Sequence, residues 1–157
     1  MATTKPSPRM TPDEIWAFVT DAHTGIMTTL RRDGMPIALP LWFACLDRTI
    51  YLQTRGRKLQ RIAHDARASF LVETGDRWVD LKAVHLTGTA DVVDLDADTS
   101  ARFRVEIDRK YAAFRPAQAD MPKETAAHYA TALNGIVRFT ADDRVLNWDN
   151  AKLSPGR

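Results

Sequence analysis

The stretch Thr54-Arg55-Gly56-Arg57-Lys58 gathers three cations around one glycine, between an apolar run that reads as a strand and one that reads as a helix. A helix N-terminus already carries about half a positive charge, so each added cation there costs roughly 0.3–1 kcal/mol. A phosphate bound at that point would reverse the sign, because N–H groups, dipole and side chains would all face an anion. Two readings are open from this run alone: the long side chains extend into water, or an anion sits among them. The cationic character continues beyond it, since Arg61 and Arg67 follow and Asp65 is the single acid between Arg55 and Arg67.

Other chemistry is poorly represented. The sequence has no G-x-S-x-G elbow, H-E-x-x-H pair, Walker A loop or G-x-G-x-x-G fingerprint. Cys45 is the single cysteine, which excludes an intrachain disulfide and a multi-cysteine metal site, and it lies among apolar residues without a neighbouring histidine. His23, His64, His85 and His128 are scattered without ligand spacing, and the acidic groups Asp94, Asp96, Asp98, Asp142 and Asp143 read as caps and turn residues. No catalytic side chain and no metal site are expected. What remains is a cationic loop plus four tryptophans able to wall a flat ring, a combination suited to a nucleotide-like cofactor.

These residues must be positioned by a small domain. At 157 residues the chain suffices for one core, with 45% hydrophobic and 27% charged residues, and a net charge of +2 is too small to argue for nucleic acid. No run of about 18 apolar residues could span a bilayer. Residues 1–10 read as a polar, disordered tail with no signal-peptide core, residues 11–153 as one domain and 154–157 as a C-terminal tail. A cytoplasmic protein is expected.

Thr11-Pro12-Asp13-Glu14 predicts a helix start with a capping box, and Ile15, Phe18, Val19 and Ala22 continue at helical spacing. From Gly25 the period becomes two. Strands are expected at 25–30, 37–45 and 49–53 in meander order, with Pro36 and Pro40 marking the second as an edge or bulged strand. A helix follows the basic run, with Leu59, Ile62 and Ala63 as its apolar face. Further strands are read at 68–72 and 82–93, the latter bent at Gly88. A helix within 94–114 would bury Phe103, Ile107, Tyr111 and Phe114, another short helix covers 122–133, and two last strands, 136–139 and 144–148, are joined by Ala141-Asp142-Asp143. Six or seven antiparallel strands with peripheral helices make a mainly β protein, a closed or half-closed barrel, rather than a doubly wound parallel sheet.

The chain resembles the split β-barrel superfamily of pyridoxamine 5′-phosphate oxidase-like flavin and deazaflavin oxidoreductases, over roughly Thr11 to Leu153. Gly25 to Pro36 is similar to the family's opening hairpin and Leu39-Pro40-Leu41-Trp42-Phe43 to its second strand. Thr54 to Lys58, followed by Ala68-Ser69-Phe70, is similar to its phosphate loop, helix and next strand, and Val145 to Leu153 resembles a W-D-H-x-K-L ending. The resemblance implies a homodimer with FMN or F420 in a groove at the interface. It implies that Lys58 and Arg57 hold the phosphate, assisted by Thr54 and Arg55, that Thr28, Thr29, Pro40, Leu41 and Trp42 line the ring, and that Trp148 packs near the cofactor, the partner chain or the core. Hydride transfer to or from a small organic substrate is the implied activity, with non-catalytic flavin or haem binding as the alternative and a single-strand nucleic-acid barrel as a weaker rival. Arg55 and Arg61 would suit the polyanionic tail of F420. Departures are Lys58-Leu59-Gln60-Arg61-Ile62 for K-x-x-N-L, Asp65-Ala66-Arg67 for D-P-R, and Asn150 for the tail histidine. The substrate-phosphate residues of the true B6 oxidases are not found, which favours a reductase.

Overall fold

The computed structural model describes residues 6–116, 120–131 and 134–153. Helix α1 (Pro12–Asp21) precedes strands β1 (Gly25–Leu30), β2 (Pro36–Leu41), β3 (Ala44–Leu46) and β4 (Thr49–Arg55). Helix α2 (Arg57–His64), strands β5 (Arg67–Thr74) and β6 (Lys82–Val93), helices α3 (Ala97–Tyr111) and α4 (Lys123–Thr131) and strand β7 (Asn134–Asp149) complete the order. Residues 1–5, 132–133 and 154–157, which include parts of the expected tails and of the expected helix at 122–133, lie outside the described residues.

The seven strands form one antiparallel sheet in the order β2-β1-β5-β6-β7-β4-β3. β2 and β3 are its two edges, yet only Trp42 and Phe43 separate them in the chain. Flat, such edges would stand about 29 Å apart, while three peptide units reach no more than about 11 Å. The sheet therefore curls until its edges meet. Phe43, Phe70 and Phe139 fill the interior with Ile50, Leu52, Leu86 and Val137, all essentially inaccessible, and Phe70 lies 4.9 Å from Phe43 and 5.9 Å from Phe139 by ring centroids. α1 adds Ile15 and Val19 to this core and α2 adds Leu59 and Ile62. Thr11 caps α1 with the full capping box. Among the described residues no helix is long and apolar enough to cross a membrane.

Three expectations are corrected. The first three strands are no meander: β4 leaves β2 and pairs with β3 and β7 on the far edge. The strand expected at 37–45 breaks at Trp42-Phe43 because the Tyr111 hydroxyl takes over Phe43, accepting its N–H at 3.0 Å and lying 3.0 Å from its carbonyl. β2 is an edge strand, as its prolines require, but it pairs with β1 in unbroken register from Gly25↔Leu41 to Leu30↔Pro36 and carries no bulge there. Second, the two final strands are one, because both halves of β7 pair with β6. Leu86 faces Val145 and Gly88 faces Ala141, so Asp142, Asp143 and Arg144 together oppose Thr87 alone, as a bulge rather than a turn. The Thr87 hydroxyl donates to the Asp142 carboxylate at 2.8 Å, and Gly88 is needed because a Cβ there would strike the Thr140 carbonyl. Third, Phe114 lies beyond α3 and is 62% exposed, not part of a buried face.

Both ends of the described chain meet at β7. The Asp149 N–H donates to the Pro8 carbonyl and the Met10 N–H to the Asn147 side chain. The Lys152 ammonium then reaches Glu14 at 2.6 Å and the Arg9 carbonyl at 3.2 Å.

Candidate functional site

The curled sheet does not seal. β3 covers β4 only along residues 49–51, so Leu52 to Arg55 pair with β7 alone, while β2 pairs only with β1. The lips of this split, β2 and the end of β4, bound a groove, and α2 closes its floor.

Burial alternates along β1, so Thr29 points into the split while Thr28 stands half-buried on the outer face. The centre of the groove is a narrow slot of about 10 Å³ lined by Thr29, Leu39, Leu41, Thr54, Lys58 and Arg61. That volume holds about one water. On one side Leu41 leads into a cleft of about 760 Å³ walled by Pro40, Trp42, Gln53, Arg55 and Phe103. On the other side Arg61 leads into a cleft of about 580 Å³ that takes in Arg31, Arg32, Arg57 and His64. One end of the groove thus combines aromatic side chains with Arg55 and Arg115, the other is cationic without aromatic rings of that kind, and no carboxylate is among the described residues lining these three spaces.

The expected strand-to-helix junction is present. β4 ends at Arg55, Gly56 adopts φ 62°, a left-handed conformation that glycine tolerates without strain, and α2 begins at Arg57. α2 has no acidic residue in its first turn and no side-chain N-cap. Lys58 is held below its ordinary value by burial first, then by the Arg61 and Arg55 guanidiniums. Arg61 is itself oriented, donating from Nε to the Thr29 hydroxyl at 3.2 Å. Arg55 and Arg61, paired in the sequence reading, line different ends of the groove.

The aromatic end is built by α3. Tyr111 stacks on Trp42 with ring centroids 4.5 Å apart and planes 7° from parallel, and the His23 ring meets Tyr111 edge-on at 5.1 Å. The Tyr111 hydroxyl lies 2.8 Å from the His23 carbonyl as well as bonding Phe43. The indole is thereby held flat at the rim. Behind it the Lys110 ammonium donates to the Thr20 carbonyl at 3.2 Å and sits 3.8 Å from the Phe43 ring centroid. Burial lowers its pKa to about 8. Burial also pushes the Cys45 thiol up, which removes nucleophilic character.

Of the residues singled out from sequence, Thr29, Pro40, Leu41, Trp42, Thr54, Arg55, Arg57 and Lys58 therefore line one groove. Thr28 does not, and neither does Trp148, which stands on β7 opposite Ala83, 39% exposed. The tail motif around it is a clasp: buried Asn150 donates from its amide to the Trp78 carbonyl at 2.7 Å, and Asp149 pairs with Lys82 at 3.4 Å. Sequence reading missed Arg31, Arg32, His64 and Tyr111 as members of this region. For the first two the only signal was a pair of arginines beside a D-G turn.

Comparison with known proteins agrees with this fold. A conserved hypothetical protein, Rv2991, from Mycobacterium tuberculosis superposes with a TM-score of 0.76 at 28% identity, over 99% of this chain and 96% of that one. An FAD-binding protein from Mesorhizobium loti matches with a TM-score of 0.66 at 17% identity, over 88% and 94% of the two chains. An F420 reductase matches with a TM-score of 0.59 at 17% identity, over 87% and 98%. No curated protein matches the sequence. The family described as pyridoxamine 5′-phosphate oxidase (PNPOx_N) matches residues 11–133, most of the chain and all of the groove, and this protein belongs to that family.

Proposed function

We propose that this protein is a cytoplasmic, homodimeric oxidoreductase that binds F420 or FMN in the split groove and moves a hydride to or from a small organic substrate. The observation that carries the reading is the groove itself, with Lys58 at its centre between the guanidiniums of Arg55 and Arg61, a flat indole at one end and no carboxylate among the described residues lining it. A bound flavin or deazaflavin supplies the hydride chemistry, so the chain has to bind and orient. Lys58 and Arg57 receive the phosphate at the start of α2, where dipole and side chains add. Thr54, buried beside them, offers its hydroxyl. Pro40, Leu41 and Trp42 form the apolar wall for the ring, with Tyr111 keeping the indole parallel to itself. The dimer is supported by a row running in register across the outer face, Leu146-His85-Leu71-Ile26-Pro40, which is largely apolar and ends at the groove. Leu146 in it is 63% exposed. A second copy laid on this row would reach the ring end.

Titration of the purified protein with FMN, F420 and haem, followed by absorbance and fluorescence, tests the reading. Saturable binding of FMN or F420, with turnover on supplied donors and acceptors, is expected. Binding without turnover would make the protein a carrier, haem as the single ligand would reassign the groove, and failure of all three would remove the function while leaving the fold.

A further inference from the structure

Beyond the aromatic end of the groove lies a further cavity, of about 730 Å³, that the cofactor reading does not use. Resting on that reading, we infer that this cavity is the substrate subsite, and that it takes an uncharged, flat apolar molecule with hydrogen-bonding groups at its edge.

The cavity lies between α2, α3 and the adjoining ends of β6 and β7. Its volume falls in the range of roughly 300–1,000 Å³ usual for small-molecule pockets. The floor is apolar. Leu59 and Phe103 are buried there beside Ile136, and Gly135 brings the β7 backbone so close that a Cβ on it would meet the Leu59 methyls at 3.0 and 3.1 Å. The rim is polar but balanced in charge. Asp94 and Arg104 are one acid and one base, both exposed, and among the described residues neither enters an ion pair. Gln53, Gln60 and Asn134 add three side-chain amides, none of them hydrogen-bonded to another described residue. Amides offer donors and acceptors alike, so a neutral guest with either at its edge is matched, whereas a net charge is not. The cofactor groove differs in kind, since its lining has cations and no carboxylate among the described residues. Adjoining spaces thus select by charge, an anion in one and a neutral molecule in the other.

Continuity ties the cavity to the ring. Gln53 and Phe103 line both this cavity and the cleft beside Trp42, so the two spaces share a boundary. α3 runs along both, with Ser100, Phe103, Arg104 and Ile107 at i, i+3, i+4 and i+7 on a single face. That face advances about 10 Å. A flat ring resting on Pro40, Leu41 and Trp42 at the β2 lip turns its other side towards Gln53 on the β4 lip, where the cavity opens. Hydride transfer needs reacting atoms roughly 3–3.5 Å apart. A molecule seated over Leu59 and Phe103 approaches the ring past Gln53 without entering the cationic end.

The test uses three probes that share a ring and differ in head group: naphthamide, naphthoate and naphthylmethylammonium. Each is titrated by calorimetry into wild type, Ala63→Trp and Val92→Glu, with and without saturating FMN or F420. Both substituted residues are exposed, and they line this cavity but not the groove, so melting temperatures and cofactor affinities should be unchanged. The wild type should bind naphthamide most tightly of the three. Ala63→Trp, which fills the cavity, should weaken it at least roughly tenfold, and Val92→Glu should turn the preference towards the ammonium. With cofactor bound, naphthamide protons should show nuclear Overhauser contacts to the ring protons. Equal binding in wild type and both variants, tighter binding of either charged probe by the wild type, or no contact with the bound ring overturns the subsite. If FMN or F420 binds and naphthamide does not, the subsite falls and the proposed function stands. If naphthamide binds and the variants lose it while no cofactor binds, the cavity is a site for neutral ring compounds and the proposed function falls with the substrate role. If nothing binds, both fall.

Discussion

Lys58 and Lys110 are both partly buried, and both are held below the ordinary lysine value, with burial as the leading cause. Their surroundings differ in sign. Around Lys110, Glu106 pulls the value back up against the smaller opposing push of Arg109, the Thr20 carbonyl accepts a hydrogen bond from the ammonium and the Phe43 ring lies beneath it. Around Lys58 the neighbouring charges, Arg61 and Arg55, both push further down. Lys110 is thus a completed contact that fastens α3 to the end of α1. Lys58, on the narrow central slot, has no counter-charge among the described residues that line it. A depressed lysine by itself marks neither role; the sign of its neighbours separates them.

That contrast is sharpest in the Lys58→Ala variant, expected to weaken FMN or F420 binding by about 1.5–3 kcal/mol, the scale of a hydrogen bond to a charged group. Because the substitution relieves crowding among cations, the melting temperature of the ligand-free variant should not fall. Equal affinity in the two proteins would break the comparison. Tyr111→Phe probes the completed side. It leaves the buried Phe43 N–H without its acceptor and should cost about 1–3 kcal/mol in urea denaturation, with the groove's cationic end still binding anions. A smaller effect concerns pH. Lys110 releases its proton near pH 8 when folded but near 10.5 when unfolded, so above pH 8 the unfolded chain holds the extra proton. Stability therefore rises with pH through that window. Cys45 opposes it, since its raised value means that above about 9 the folded chain keeps a proton the unfolded one has lost. Lys110→Met should flatten the rise, and Cys45→Ser should extend it to higher pH. If Lys110→Met leaves the profile unchanged, Lys110 does not titrate as its surroundings imply.

Local signals carried much of this protein. The capping box at Thr11 and the basic junction after β4 each depend on neighbours in sequence, and each is found where its residues predict it, while at Gly88 the pairing with β7 shifts register. What escaped was set by distant partners. Nothing near Trp42-Phe43 announces a break, because the cause is a hydroxyl on α3, 68 residues away. The final bulge was read as a turn since Asp142 and Asp143 suit either, and only pairing of both halves with β6 decides. For the site, eight of ten candidate positions share the groove, whereas strand parity turns Thr28 to the outer face and Trp148 stands beside the clasp formed by Asn150. Arg31 and Arg32 were passed over as turn residues, since their nearness to α2 exists only once the sheet has curled.

The two prolines of β2 have a chemical consequence for whatever lies along that lip. A proline fits an edge strand with its nitrogen turned away from the paired neighbour, and Pro36, Ala38 and Pro40 alternate along the strand that pairs only with β1. Toward the split they therefore present three carbonyls and the single N–H of Ala38. Such an edge cannot template another strand, which guards the opening against being zipped shut by a neighbouring chain. It would also discriminate among guests: a flat ring whose rim offers N–H donors would find acceptors there, while a rim of bare carbonyls would meet a single donor.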